Sequence, residues 1–297
     1  MTRPTVYITD LDGTLLNSEG RVSETTAKII SDLCRQGANI TIATARTIAT
    51  VSPMLADIDF GDNPPKWVLV TGAMTYDPKS GHADFSPLAI DDCRILDEAF
   101  SRYDLNPFVY TAKNGERIHV DVYHTPTLTE IERNFYEQRS ELILKTFHFD
   151  NSPEKFWLET PAADVNAAPL LYLGMGSPDD VFPLADHLRQ IGRFYVSAYI
   201  DTYDTANAYI EVFDSGVSKA NAIIREFADY RKVVFGDNLN DIEMLRAADM
   251  AVAVENAVDD VKAVADIIIG TNDSDAVARF ILNEESRVSC QELFCLL

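Results

Sequence analysis

The chain has 297 residues, 46% of them hydrophobic, with 47 acidic against 25 basic side chains, a formal net charge of -22 and a pI near 4.5. Such length and apolar content belong to a folded protein of two domains or one elaborate one, and exclude a disordered tail. The negative field argues against nucleic acid or an anionic membrane surface as a partner, while leaving room for a small anion bound locally.

The opening MTRPTVYITD lacks the pattern of a secretory signal, and no apolar run reaches about 18 residues. Cys34, Cys93, Cys290 and Cys295 are scattered, without zinc spacing or a disulfide framework. A cytoplasmic chain with reduced thiols is expected.

In chain order, VYITD (residues 6–10) reads as a buried strand that ends in Asp10, with Asp12 two residues on. Carboxylates at the end of an apolar strand are partly desolvated and need hydrogen bonds, a cation or a shared proton. VSETTAKIISDLCRQG (22–37) follows as a helix with Ser23 at its N-cap and Gly37 at its stop. ANITIATA is a strand, TIATVSPMLADI a broken helix and KWVLVTGA (66–73) another strand. This alternation predicts a parallel sheet with helices on both faces.

The alternation returns late. SKANAIIREFADY, NDIEMLRAA, AVDDVKAVA and SDAVARFILNEE read as helices, and KVVFGD, MAVAV and DIIIG as short, wholly apolar strands of a sheet covered on both sides. Between the two stretches aromatic and proline content rises, and RIHVDVYH, LLYLGMG, FYVSAYI and AYIEVF alternate with helices such as DDCRILDEAFSRY. The predicted fold class is α/β: a doubly wound, Rossmann-like parallel core of residues 1–80 and 213–297, with an inserted α+β domain of residues 81–212.

Open α/β sheets bind ligands at the C-terminal ends of their strands. There this sequence places Asp10 and Asp12, then Thr44, and later Asp237, Asn240 and Asp241, with Lys219 at a helix start. In this order they form DLDGTL (10–15), IATAR (42–46), GVSKANAI (216–223) and GDNLNDIEML (236–245), and these resemble the four motifs of the haloacid dehalogenase-like hydrolase superfamily. The continuation AVAVENAVDDVKAVAD is similar to its Cof-type subgroup, subfamily IIB, whose cap (C2B-type) is inserted between the second and third motifs.

The resemblance implies a magnesium-dependent phosphatase of a small phosphorylated metabolite, most simply a sugar phosphate, working through an aspartyl-phosphate on Asp10. Asp12 would be general acid and then base, and the charge of Asp10 would raise its pKa. Thr44, Lys219 and Asn240 would hold the phosphate. Asp10, the Asp12 backbone carbonyl, Asp237 and Asp241 would hold Mg2+, which prefers hard oxygen ligands. Selectivity candidates are Arg46, Thr71 and Gly72, and in the inserted domain Lys113, Arg117, His119, Tyr123, Tyr199 and Tyr203.

Three positions depart from the family pattern. Ala45 stands where glycine is common, Thr71 where asparagine is common, and Asp275 with Ala276 where a glycine is usual. Thr71 bears on the leaving group accepted, because that turn commonly lies near the substrate. A phosphotransferase sharing the intermediate and a non-catalytic metabolite-binding regulator are the alternative readings. A monomer or small homo-oligomer is expected.

Overall fold

The computed structural model describes residues 3–113, 119–124, 127–137, 157–159, 168–201 and 204–295. Chain contacts divide it into two compact units, Met1–Arg46, Met54–Asp84 and Ser218–Leu297 in one, Thr47–Pro53 and Phe85–Val217 in the other. Among the described residues no helix is long and apolar enough to cross a membrane.

The first unit is built on a five-stranded parallel sheet. Its strands are β1 (Thr5–Thr9), β2 (Asn39–Ile42), β12 (Arg231–Gly236), β13 (Met250–Val254) and β14 (Ile267–Ile269), in the order β14-β13-β12-β1-β2. β3 (Trp67–Leu69) joins the β2 edge through a parallel bridge between Ala43 and Val68. Val6, Ile8, Val233, Val234 and Val252 are fully buried, as the apolar runs require of strands covered on both faces. With every strand parallel and Thr9 in register with Ile42 and Phe235, the chain leaves β1, β2 and β12 at one end of the sheet.

Helix α1 (Glu24–Arg35) begins as predicted: Ser23 Oγ accepts the Thr26 N–H at 2.9 Å. The departure at Asp275 has its explanation here. Asp275 sits in the left-handed region (φ 56°) just before α9 (Ala276–Cys295), and its carboxylate accepts from the hydroxyls of Ser23 and, at 3.1 Å, Thr26. A glycine would take the same backbone but could not tie the start of α1 to that of α9. Ala45 is exposed and is not left-handed, so its methyl group meets no backbone penalty.

KWVLVTGA differs from its expectation. The strand stops at Leu69, and Val70–Gly72 form a tight turn with φ of 50°, 56° and 97°. The chain then reverses into β4 (Met74–Asp77) and β5 (His82–Phe85), which complete a small sheet of order β3-β4-β5.

The second unit carries a six-stranded sheet of order β10-β11-β9-β6-β7-β8, antiparallel except for the parallel β7–β8 pair. Its strands are β6 (Phe108–Lys113), β7 (His119–His124), β8 (Trp157–Glu159), β9 (Ala168–Gly176), β10 (Phe194–Ile200) and β11 (Ala208–Asp214). Between β7 and β8 lies helix α4, described over residues 130–137. One face of the sheet packs Val109, Tyr172, Ile210 and Val212 against Leu96 and Phe100 of α3 (Ile90–Arg102) and Leu184 and Leu188 of α5 (Pro178–Ile191).

Candidate active site

Asp10 follows β1 with its N–H bonded to the Phe235 carbonyl at 3.1 Å, so the sheet itself sets where the carboxylate begins. Lys219 opens helix α6 (Lys219–Glu226), whose N-cap Ser218 accepts the Asn221 N–H at 3.0 Å. Its side chain is buried, and Nζ donates to Asp10 Oδ1 at 2.7 Å and to Asp241 Oδ1 at 2.8 Å. Asp241 closes a 3-10 turn after β12, and its other oxygen accepts the N–H groups of Asp237 and Asn238 at 3.1 and 3.2 Å. Asp237 accepts from the Thr14 hydroxyl at 2.9 Å.

Carboxylate oxygens of Asp10, Asp237 and Asp241 all lie within 4.8 Å of one another. Gly13 makes this packing possible: it is left-handed (φ 74°), and a Cβ there would collide with the Asp237 carboxylate. The Asn256 side-chain amide donates to the Gly13 carbonyl at 2.7 Å and holds the loop in place.

Three carboxylates against one ammonium leave two negative charges uncompensated in a buried place. Burial, with further repulsion from Asp241 and Asp237, pushes Asp10 up to about 8 even though Lys219 pulls it down. Burial also raises Asp237 to about 6, with Asp241 and Asp12 adding to it and Thr14 and Lys219 opposing. Burial works against the Lys219 charge, but Asp10 and Asp241 hold its ammonium above the ordinary value. An oxygen-only donor set with surplus negative charge fits a hard divalent cation, which would remove the repulsion.

The two aspartates of the first motif part company. Asp12 turns toward solvent, and Arg46 grips it with a fork in which Nε and Nη2 each donate at 2.6 Å. The burial penalty thus falls on Asp10, and the two carboxylates sit in different surroundings. Sequence reasoning placed Arg46 among the selectivity candidates and missed this pairing, because nothing in the spacing of residues 12 and 46 says that they meet.

Thr44 is buried at the end of β2, and its Oγ1 accepts the Arg46 N–H at 3.2 Å. Asn240 is exposed on the 3-10 turn (Leu239–Asp241). Thr71 and Gly72 are buried in the turn after β3. Val70 and Thr71 are β-branched residues in the left-handed region, a conformation that costs roughly 1–3 kcal/mol each and persists only where the surroundings impose it. Thr14, Ser218, Asn238 and Asn256 complete the framework; Ser218 before Lys219 and Asn238 three residues before Asp241 are N-cap residue types at helix or turn starts, and Thr14 lies within the first motif, whereas nothing in the sequence says that Asn256 meets Gly13.

In the second unit, Tyr199 is half-exposed on β10, stacked on Tyr209 with ring centroids 5.7 Å apart. Lys113, His119 and Tyr123 lie on β6 and β7 with side chains outside the described residues, as are Arg117 and Tyr203 entirely.

Known proteins are similar to this chain along most of its length. Residues 7–281 match the family model described as haloacid dehalogenase-like hydrolase. The 5-amino-6-(5-phospho-D-ribitylamino)uracil phosphatase YitU of Bacillus subtilis is 25% identical over 299 residues, 94% of this chain and 97% of that protein. Among solved structures, a haloacid dehalogenase-like hydrolase from Bacteroides thetaiotaomicron superposes with a TM-score of 0.70 at 22% identity, covering 95% of this chain and 99% of the other. The subclass IIB sugar phosphatase BT4131 does so with a TM-score of 0.69 at 19% identity, over 95% and 99%.

Two outcomes test the electrostatics. Because Asp10 and Asp237 are raised above the ordinary 3.8, the folded chain retains protons that the unfolded chain has released, and stability falls as pH rises toward about 8. In chelator, Tm is therefore expected to be lower at about pH 8 than at about pH 5.5, with Mg2+ raising it mainly at the higher pH; a Tm insensitive to Mg2+ at both would contradict the cluster's role. Lys219→Met removes the ammonium bonded to both Asp10 and Asp241 and should cost about 3–5 kcal/mol by chemical denaturation of the metal-free protein. An unchanged midpoint would mean that the ammonium does not sustain the cluster.

Proposed function

Since the chain belongs to the haloacid dehalogenase-like hydrolases, we propose that it is a magnesium-dependent phosphatase of a small phosphorylated metabolite, in the cytoplasm, acting through Asp10. The observation that carries this reading is the buried Lys219 ammonium shared between Asp10 and Asp241 at the ends of parallel strands. A binding protein has no need of a desolvated carboxylate with a cation aimed at one of its oxygens; a nucleophile does.

In the proposed first step the Asp10 oxygen not bonded to Lys219 attacks phosphorus, the ester P–O bond breaks, and the leaving alkoxide takes a proton from Asp12. In the second, water attacks the aspartyl-phosphate, Asp12 takes the water's proton, and the Asp10–phosphorus bond breaks to release phosphate. Splitting one displacement into two is the usual gain of a covalent nucleophile. The carboxylate gripped by Arg46 is the form that accepts the water's proton, and Asp12 must carry a proton for the first step, so the grip tightens once that proton has passed to the leaving group.

Lys219 offsets the charge gathering on Asp10 and the phosphoryl oxygens, and Thr44, whose hydroxyl oxygen already accepts from Arg46, directs its proton to the phosphoryl group. Asn240 adds a donor at the exposed side. Asp10, Asp237, the Asp12 carbonyl and Asp241 would hold Mg2+, whose contribution when bound is to neutralise phosphate charge. A sugar phosphate or related phosphomonoester is the proposed substrate class, consistent with the phosphoribityl and sugar substrates that the names of two relatives state.

Phosphate release from a panel of sugar phosphates, pyridoxal phosphate, nucleotides and an aryl phosphate tests this. Release should require Mg2+ and fall at least about a thousandfold in Asp10→Asn, with the fold intact; full activity in chelator or in the variant would refute it. In a single turnover, Asp12→Asn should slow release of the alcohol from alkyl phosphates by about 10²–10⁴-fold and release of the phenol from the aryl phosphate, whose leaving group needs no proton, much less. Equal losses on both would remove Asp12 from the acid role.

A further inference from the structure

The left-handed turn Val70–Thr71–Gly72 is held from two sides. Toward β2, the Val70 N–H donates to the Arg46 carbonyl at 3.0 Å and the Thr71 N–H to the Thr44 carbonyl at 3.1 Å, while the Thr44 N–H donates back to Val68 at 2.9 Å. Toward α6, Gly72 lies so close that a Cβ on it would stand 2.5 Å from the Ser218 carbonyl oxygen and 3.1 Å from Ala222 Cβ. That carbonyl is the acceptor for Ala222 N–H at 3.0 Å, the first hydrogen bond of the helix that Lys219 opens.

Two consecutive β-branched residues do not choose this backbone; it is imposed on them by what lies on either side. A turn chosen merely to reverse the chain into β4 would carry Asn or Gly here. Val70 and Thr71 are instead buried and stiff at χ1, wedged between the strand end that bears Thr44 and Arg46 and the helix start that bears Lys219.

From this we infer that Thr71, with Val70 and Gly72, is a positioning residue that sets the separation between the Thr44 hydroxyl and the Lys219 ammonium, the two groups assigned above to the phosphoryl oxygens. The assignment of what is positioned rests on the phosphatase reading; the brace itself does not. Thr71 touches no reacting atom in this scheme. It acts through the backbone, by holding Thr44 and Ser218 at a fixed distance, and displacements on the order of 1 Å at such groups cost about a hundredfold in rate.

Two substitutions separate a brace from an ordinary turn. Asparagine tolerates the left-handed region, so Thr71→Asn should relieve strain, raise Tm by a few degrees and leave amide exchange at Asn221 and Ala222 at the wild-type rate. Glycine takes the same conformation but also many others, so Thr71→Gly should fold yet loosen the turn. Its expected signature is a kcat about tenfold lower on the aryl phosphate with KM within about twofold, together with faster amide exchange at Asn221 and Ala222 in the first turn of α6. Wild-type kcat and wild-type exchange in Thr71→Gly would overturn the inference, as would loosened exchange elsewhere with none at those two amides. If wild type itself released no phosphate, the phosphatase reading would fail on that result alone, and exchange at Asn221 and Ala222 would still decide whether the turn braces α6.

Discussion

The Lys219 ammonium, fixed between Asp10 and Asp241, is the interaction on which the first unit's functional end depends. Without it three carboxylates would converge at the ends of β1 and β12, where the Thr14 hydroxyl and the Asp237 and Asn238 backbone amides donate to two of them. Buried charge is tolerated only when paired and hydrogen-bonded, and even with Lys219 present the fully ionised cluster would be two charges short of neutral. The surplus makes Asp10 and Asp237 reluctant to ionise in the absence of a cation, and it is also what gives a hard divalent ion a place to bind.

Much of the surrounding architecture serves to bring Lys219 to that point. It arrives from residue 219, more than two hundred residues after Asp10, and its direction is set by the Ser218 cap, by the close approach of Gly72 to the Ser218 carbonyl, and by the Asp241 turn it bonds to. The close fit leaves no space for a side chain at Gly13 or at Gly72, and at Val70 and Thr71 it holds β-branched residues in a backbone they avoid elsewhere. Strain of this kind is affordable where several hydrogen bonds and a packed helix fix the turn at once.

The parallel core was legible because its evidence is local and repeated. Short apolar runs such as KVVFGD and MAVAV, each followed by a polar turn, signal strands buried on both faces, and Ser23 announced α1 by the chemistry of a cap. The acidic site was legible for a related reason: in a parallel sheet, residues just past adjacent strands share one end whatever their separation in sequence, so Asp10, Thr44 and Asp237 could be grouped from strand ends alone. The early halt of β3 at Leu69 was not legible, since Val70 and Thr71 have strand propensity and the turn they form is imposed from outside.

What the amino-acid sequence determined by itself was therefore the class of fold, the family and the acidic set, because each rests on periodicity or on short motifs whose residues lie within a few positions of one another. Tertiary structure alone decided how those residues divide their circumstances. It buried Asp10 against Lys219 and turned Asp12 out to Arg46, gave Asp241 the work of bracing both the lysine and the turn before it, and forced Val70 and Thr71 into a left-handed wedge. Burial, charge pairing and backbone strain are properties of neighbours in space, and those neighbours come from segments that the chain keeps tens to hundreds of residues apart.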